Sequence, residues 1–315
     1  MDKQDLEYKI EICNKMKNFK VAENIDVSKI KDMNSMFCGC TNMTTLDLLN
    51  WDVSNVEIMN NMFCGCNKLK TLTLSNWNTS KVKNMSYMFA VCSELKYLIN
   101  LSKWDVSNVE DMGYMFESCS SLCDLGIYKW NISHVKDMYG MFWCCSSIRS
   151  LDISEWNVSN VKNMALMFGH CRRLEKMDLS KWDVSNVENM EYMFYNCRSL
   201  KELNIPNWNI SHVENISNMF CECEKLQELN LSKWDVSHVK LMPGVFNGCR
   251  NLRKMDLSNW DTSKTISLYA MFYRCENLKQ LIILNWDISN VERMEDIFKK
   301  CYKLNIIDGL LFTLD

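Results

Sequence analysis

Apolar and polar positions return along this chain with one period. Tryptophan stands at Trp51, Trp77, Trp104, Trp130, Trp156, Trp182, Trp208, Trp234, Trp260 and Trp286, at intervals of 26 residues apart from a single interval of 27. Phenylalanine keeps its own phase from Phe37 to Phe298, and a cysteine follows each of these by three residues, from Cys40 to Cys301. One unit reads W-D-V-S-N-V-x-x-M-x-x-M-F-x-x-C-x-x-L-x-x-L-x-L-S-x. A unit this short cannot bury a core by itself, so successive units must stack, and the pattern predicts a solenoid.

Two periodicities alternate inside the unit. Leu72-Thr73-Leu74 has period two and predicts a short strand. Val56, Met59, Met62, Phe63, Cys66 and Leu69 recur at steps of three and four, the spacing of one face of a short helix or 3₁₀ turn. Pro243 falls at the start of this stretch, where a missing N–H is tolerated. Val53-Ser54-Asn55-Val56 reads as a second short strand. The expected fold class is therefore an α/β repeat solenoid, a leucine-rich-repeat-like right-handed stack of about eleven 26-residue turns, each with a short strand and a helical or 3₁₀ turn. Residues 1–24 are expected to form an N-terminal helical cap, with Leu6, Ile10, Cys13 and Lys17 at four-residue steps. Residues 25–301 make the eleven repeats, and 302–315 a partial twelfth turn and C-terminal cap. The one long interval is explained by an extra residue in Tyr97–Leu101, expected to bulge beside the strand.

Leu69-x-x-Leu72-x-Leu74, joined to Phe63-x-x-Cys66-x-x-Leu69 and to Trp77-Asn78-Thr79-Ser80, resembles the BspA-like leucine-rich-repeat family, in particular its W-D-[VT]-S-N-V…M-F-x-x-C subgroup. The resemblance spans residues 25–301. It implies a non-enzymatic solenoid used for adhesion or protein binding, often at a bacterial surface.

Composition narrows the function. With 47% hydrophobic residues the chain can bury a core. A net charge of -3 gives no long-range attraction for nucleic acid or an anionic membrane. No apolar run approaches the roughly 18–20 residues of a membrane span, and residues 1–20 carry charges throughout, unlike a secretory leader. An intracellular protein is expected, with the surface or secreted location of family members as the alternative. The 17 cysteines are odd in number and fit a reducing compartment. Cys38 and Cys64 share a phase in adjacent turns and with Cys40 and Cys66 suggest a four-thiolate zinc site, but residues two apart on a helical turn point to different sides. His212 and His238 are adjacent in the stack, a spacing that could chelate a metal, at a position that otherwise carries Asn or Lys as a solvent position does. No metal or cofactor is expected.

No phosphate loop, nucleophile elbow or zincin motif interrupts the repeat, so an enzyme is not expected. The candidate partner-binding face is the outward side of the strands. Asp47, Thr73, Asp152, Asp178, Asn204, Asn230 and Asp256 share one column, and Lys176, Glu202, Glu228 and Lys254 lie in the column beside it. Two readings stand: a recognition face for a protein partner, or a solvated face whose side chains bond along the stack. The Asp/Asn residue after each Trp, two places before a Ser, interchanges acid with amide and so predicts a hydrogen-bond acceptor closing a corner. The expected function is a protein-binding scaffold. Its alternative is a self-associating structural or adhesin-type protein pairing through the C-terminal end.

Overall fold

The computed structural model describes residues 23, 25–98 and 100–309. It divides into two compact units, residues 1–160 and 161–315, each a stack of parallel rungs. In unit 1, β1 (Thr45–Asp47) pairs parallel with β2 (Thr71–Thr73), setting Leu46 opposite Leu72. In unit 2, β3 (Lys176–Asp178) pairs with β4 (Glu202–Asn204), and β5 (Lys254–Asp256), β6 (Gln280–Ile282) and β7 (Ile306–Asp308) form a three-stranded sheet. The central residue of each strand points inward and its two neighbours outward, as the two-residue alternation requires, except that Ile307 of β7 is only half-buried.

The core is a set of ladders. Phe37, Phe63, Phe89 and Phe116 stack at 5.3–5.6 Å between ring centroids in unit 1. Phe168, Phe194, Phe220, Phe246, Phe272 and Phe298 do so at 5.3–5.9 Å in unit 2. Trp182, Trp208, Trp234 and Trp260 lie parallel at 6.2–6.4 Å. These separations are those of offset aromatic stacks, and the one-per-rung phase of the sequence creates them. The indoles are buried, and several find a carbonyl acceptor in the rung before: Trp77 Nε1–H donates to Leu48 O at 3.1 Å and Trp208 Nε1–H to Leu179 O at 2.9 Å, whereas Nε1 of Trp104 and of Trp234 has none.

The stretch with three- and four-residue spacing is not helical, contrary to the sequence expectation. Met62 and Cys64 N–H bond within the rung, to Met59 O and Asn61 O, at 3.3 and 3.0 Å. The intervening N–H groups of Met59, Asn61, Phe63 and Gly65 instead reach Asn84, Ser86, Met88 and Ala90 of the next rung at 2.8–2.9 Å. Asn61 (φ 57) and Gly65 (φ 74) are left-handed, and the same two places are left-handed in every described rung. A left-handed residue breaks a helix, and here it turns alternate N–H groups toward the neighbouring rung. A run of linked β-turns brings side chains back to one side at nearly the helical period, so the apolar positions face inward as expected although the backbone is different. Among residues 25–98 and 100–309 the regular helical turn is a single 3₁₀ turn, Leu101–Lys103.

A smaller expectation is also corrected. Val53–Val56 is a tight turn, with Val56 N–H on Val53 O at 2.9 Å, and the second parallel ladder lies beyond it. That ladder links Asp32, Ile58, Asn84, Asp111 and Asp137 in unit 1, and Asn163, Asn189, Asn215, Leu241, Ser267 and Arg293 in unit 2. The extra residue near position 100 is taken up by a left-handed Asn100 (φ 69), whose Nδ2 donates to Ser75 Oγ at 2.9 Å. Leu101 is again buried and in register. The expected N-terminal cap falls, but for Glu23, outside the described residues, as do 310–315 of the C-terminal segment.

Candidate functional site

The columns singled out from the sequence point outward on the strands, except that Asp152, Glu228 and Asn230 hold the same repeat positions outside any strand. Asp47 and Asp152 in unit 1, and Lys176, Asp178, Glu202, Asn204, Glu228, Asn230, Lys254 and Asp256 in unit 2, are exposed, and Thr73 is half-buried. The pairing sets Lys176 beside Glu202 and Asp178 beside Asn204, and Asn204 Nδ2 donates to Asp178 Oδ1 at 3.0 Å. Lys254 and Asp256 stand beside Gln280 and Ile282, and Asp47 beside Thr73.

The acids of this column are partly engaged. Asp47, Asp178 and Asp256 each accept the N–H two residues on at 3.0 Å, and Asn230 accepts both N–H and Oγ–H of Ser232 at 3.2 and 2.8 Å. Hydrogen bonds from Ser180 and Ser258 hold the Asp178 and Asp256 carboxyls below the usual aspartate value. Each acid thus closes its own corner and still presents a carboxylate to solvent. The corner after each Trp has the same construction: Ser54 N–H bonds Asp52 at 3.0 Å and Ser211 N–H bonds Asn209 at 3.1 Å, the acceptor role that Asp/Asn interchange predicts.

The thiols have a structural task. Cys66, Cys92 and Cys145 donate S–H to Phe37, Phe63 and Phe116 O at 3.0–3.1 Å in unit 1, and Cys197, Cys223 and Cys249 to Phe168, Phe194 and Phe220 O at 3.1–3.2 Å in unit 2. Burial pushes the Cys197, Cys223 and Cys249 thiols well up. Cys64, more accessible, is pushed up to about 11 by burial and by neighbouring Cys38, which keeps it a thiol at neutral pH. Among the described residues no group of three or more His, Cys, Asp or Glu is placed to hold a metal ion, and no helix is long and apolar enough to cross a membrane.

Part of the surface charge is paired between rungs. Lys31–Glu57 and Lys136–Glu110 in unit 1, and Lys162–Glu188 and Lys240–Glu214 in unit 2, lie at 2.6–3.7 Å and are well exposed. Pairs of this kind contribute little stability, but they neutralise one lane of the surface.

A second surface, not anticipated from the sequence, lies on the linked β-turns. In unit 1 the Tyr87 and Tyr114 rings stack at 4.8 Å, and Tyr139 meets Tyr114 edge-on at 4.9 Å. Burial first, then the charges of Glu117, Asp111 and Asp137 together with Tyr139, push the Tyr87 hydroxyl up. Gly140 makes room, since a Cβ there would lie 2.5 Å from Tyr114 Cε1. On the strand side of unit 1, a cleft of about 310 Å³ opens at the inserted residue, lined by Tyr97, Leu98, Asn100, Leu101 and Asp124 among others. The signal for the tyrosine surface was in the sequence as Gly39, Gly65, Gly140, Gly244 and Gly248, with Asn61, Asn196 and Asn218, recurring in two columns four residues apart. Such residues mark left-handed backbone, and hence turns rather than helix.

No curated protein matches the sequence. Among solved structures the chain is similar to TLR13 in its complex with ssRNA13, at 16% identity over 90% of this chain and 42% of that one, with a TM-score of 0.36. It is similar to a leucine-rich-repeat protein of T. pallidum at 19% identity, over 65% and 76% of the two chains, with a TM-score of 0.34. A leucine-rich-repeat protein of Eubacterium ventriosum is 15% identical over 89% and 70%, with a TM-score of 0.38. The chain spans less than half the length of the first of these. A family model matches it three times in succession, over residues 4–125, 120–228 and 200–307, and the chain belongs to that family, described as "Mycoplasma protein of unknown function, DUF285".

Proposed function

We propose that this chain is a non-enzymatic protein-binding repeat scaffold of the BspA-like leucine-rich-repeat kind, with its recognition face on the outward side of the strands. One observation carries the reading. The positions that repeat from rung to rung are buried or close a corner, whereas the outward strand positions vary and, apart from the half-buried Thr73, are exposed: Thr45, Thr71, Lys176, Glu202 and Lys254 in one column, Asp47, Thr73, Asp178, Asn204 and Asp256 in the other. A repeat that holds its core constant and varies its exposed strand residues is organised for recognition of an extended surface. Acid and amide dominate the second column, which suits a partner rich in donors or positive charge.

The test is affinity capture with two baits, the natural chain and a variant carrying Asp152→Lys, Asp178→Lys and Asp256→Lys, after circular dichroism shows both equally folded. A protein retained by the first and lost by the second supports the strand face. Equal retention by both would overturn it. Capture of the chain's own copies alone, with a solution size that rises with concentration, would favour the self-associating structural role.

A further inference from the structure

We propose that Tyr87, Tyr114 and Tyr139 of unit 1, with Asp111, Asp137 and Glu117 around them, form a second interaction surface that takes an arginine-bearing segment of a protein partner. The surface is separate from the strand face and does not depend on it.

Unit 2 supplies the internal comparison. There two tyrosines of the linked β-turns carry cations of their own chain: the Arg293 guanidinium lies 4.8 Å from the centroid of Tyr269, and Lys300 Nζ lies 5.4 Å from that of Tyr273, while Tyr192 and Tyr195 meet each other edge-on at 5.3 Å. Arg274 reaches Glu222 at 3.6 Å and Lys299 reaches Asp296 at 2.9 Å. In unit 1, Tyr87 is as exposed as Tyr269, each at 38%. Yet among the described residues no Lys or Arg lies over Tyr87, Tyr114 or Tyr139, and none pairs with Asp111 or Glu117.

The carboxylates make the aromatic surface selective. Asp111 and Asp137 are paired across neighbouring rungs, and both Oδ1 atoms lie close to the Cβ position left empty by Gly113, at 3.2 and 3.9 Å. Asp111 Oδ2 accepts Asn84 Nδ2–H at 3.2 Å; the like charges in register still repel, and a cation beside them relieves that repulsion. Each Oδ1 is held by its own rung, Asp111 by Gly113 N–H at 2.9 Å and Asp137 by Tyr139 N–H at 2.7 Å, so the acids are fixed in place beside the rings. Stacked rings with fixed carboxylates at their edge match a guanidinium, which lies flat on an aromatic face and forks toward carboxylates. The same negative charge repels phosphate-bearing surfaces.

The test is titration calorimetry of the whole chain with a tetra-arginine peptide, repeated with tetra-lysine and at raised salt. Asn occupies the left-handed position of Tyr87 and Tyr114 naturally at Asn61 and Asn218, so Tyr87→Asn with Tyr114→Asn preserves the backbone. This variant is expected to bind tetra-arginine about tenfold more weakly, from the loss of two ring contacts. The milder Glu117→Gln, which keeps every ring, is expected to weaken it about threefold. Glu188→Gln, an acid of the paired lane in unit 2, is expected to change nothing, and arginine should bind more tightly than lysine. The proposal is overturned by no measurable binding, by equal binding to natural and double-Asn chains, or by equal weakening in Glu188→Gln, which would mean attraction to net charge alone.

Discussion

The two units carry the same rungs and finish their β-turn surfaces differently. In unit 2, Arg293 and Lys300 cover Tyr269 and Tyr273. In unit 1, Tyr87, Tyr114 and Tyr139 pack on one another, and the charges of Glu117, Asp111 and Asp137 act on Tyr87. The backbone is left-handed at equivalent places in both, at Tyr87 and Tyr114 in one and at Tyr192 and Ala270 in the other. The frame therefore does not decide what the surface does. Substitutions at exposed positions do, while the ladders beneath hold the frame constant.

The comparison can be broken at several depths. The largest effect belongs to the shared core: Trp208→Ala, which removes a buried indole and its bond to Leu179 O, is expected to cost about 3–5 kcal/mol in a denaturant titration. A loss below about 1 kcal/mol would place the indole outside the core.

Next come two left-handed glycines with different ceilings. Gly140→Ala in unit 1 drives a methyl into the Tyr114 ring, whereas Gly248→Ala in unit 2 meets the movable carboxylate end of Glu222. Both incur a left-handed cost of about 1 kcal/mol, and only the first adds an overpacking cost, so about 2–3 against about 1 kcal/mol is expected. Equal losses would show that the Tyr114 ring gives way.

A smaller contrast lies in the indole bonds. Trp104, beside the inserted residue, has no acceptor for its Nε1–H, while Trp208 has one. Trp208→Phe should therefore destabilise more than Trp104→Phe, by about 1 kcal/mol.

Acid should act on both units alike. Asp52 in unit 1 and Asp178, Asp235 and Asp256 in unit 2 are held below the ordinary aspartate value of 3.8 by hydrogen bonds from the serine two residues on. A depressed carboxylate contributes stability that is fully present above its unfolded value and is lost as pH falls through its folded value. Melting temperature should accordingly hold down to about pH 4 and decline below it. A melting temperature unchanged to pH 2 would remove these corners from the stability of the fold.

How far the sequence reached follows from what each residue interacts with. The Trp, Phe and Cys columns pack against their own kind one rung away, so period alone located the core. The Asp/Asn corners bond two residues along the chain, so they too were legible, as at Asp52 and Ser54. The segment from Met59 to Leu69 was misread as helical because linked β-turns and helices bring apolar residues inward at nearly the same spacing. What separates them is the destination of alternate N–H groups, such as Phe63 to Met88 O at 2.9 Å, a bond between rungs rather than along the chain. The tyrosine surface was missed for a related reason. Tyr87, Tyr114 and Tyr139 are not in one column of the repeat, and their rings meet only because the turns aim them together and Gly140 clears the space.

Taken alone, the sequence determined the stack: its period, which residues are buried, and the corners closed by Asp and Asn, because each of these rests on a neighbour at a fixed separation along the chain. The tertiary structure alone decided the backbone path between the strands and the grouping of exposed side chains. Both depend on hydrogen bonds and contacts between rungs, whose direction a linear pattern does not record.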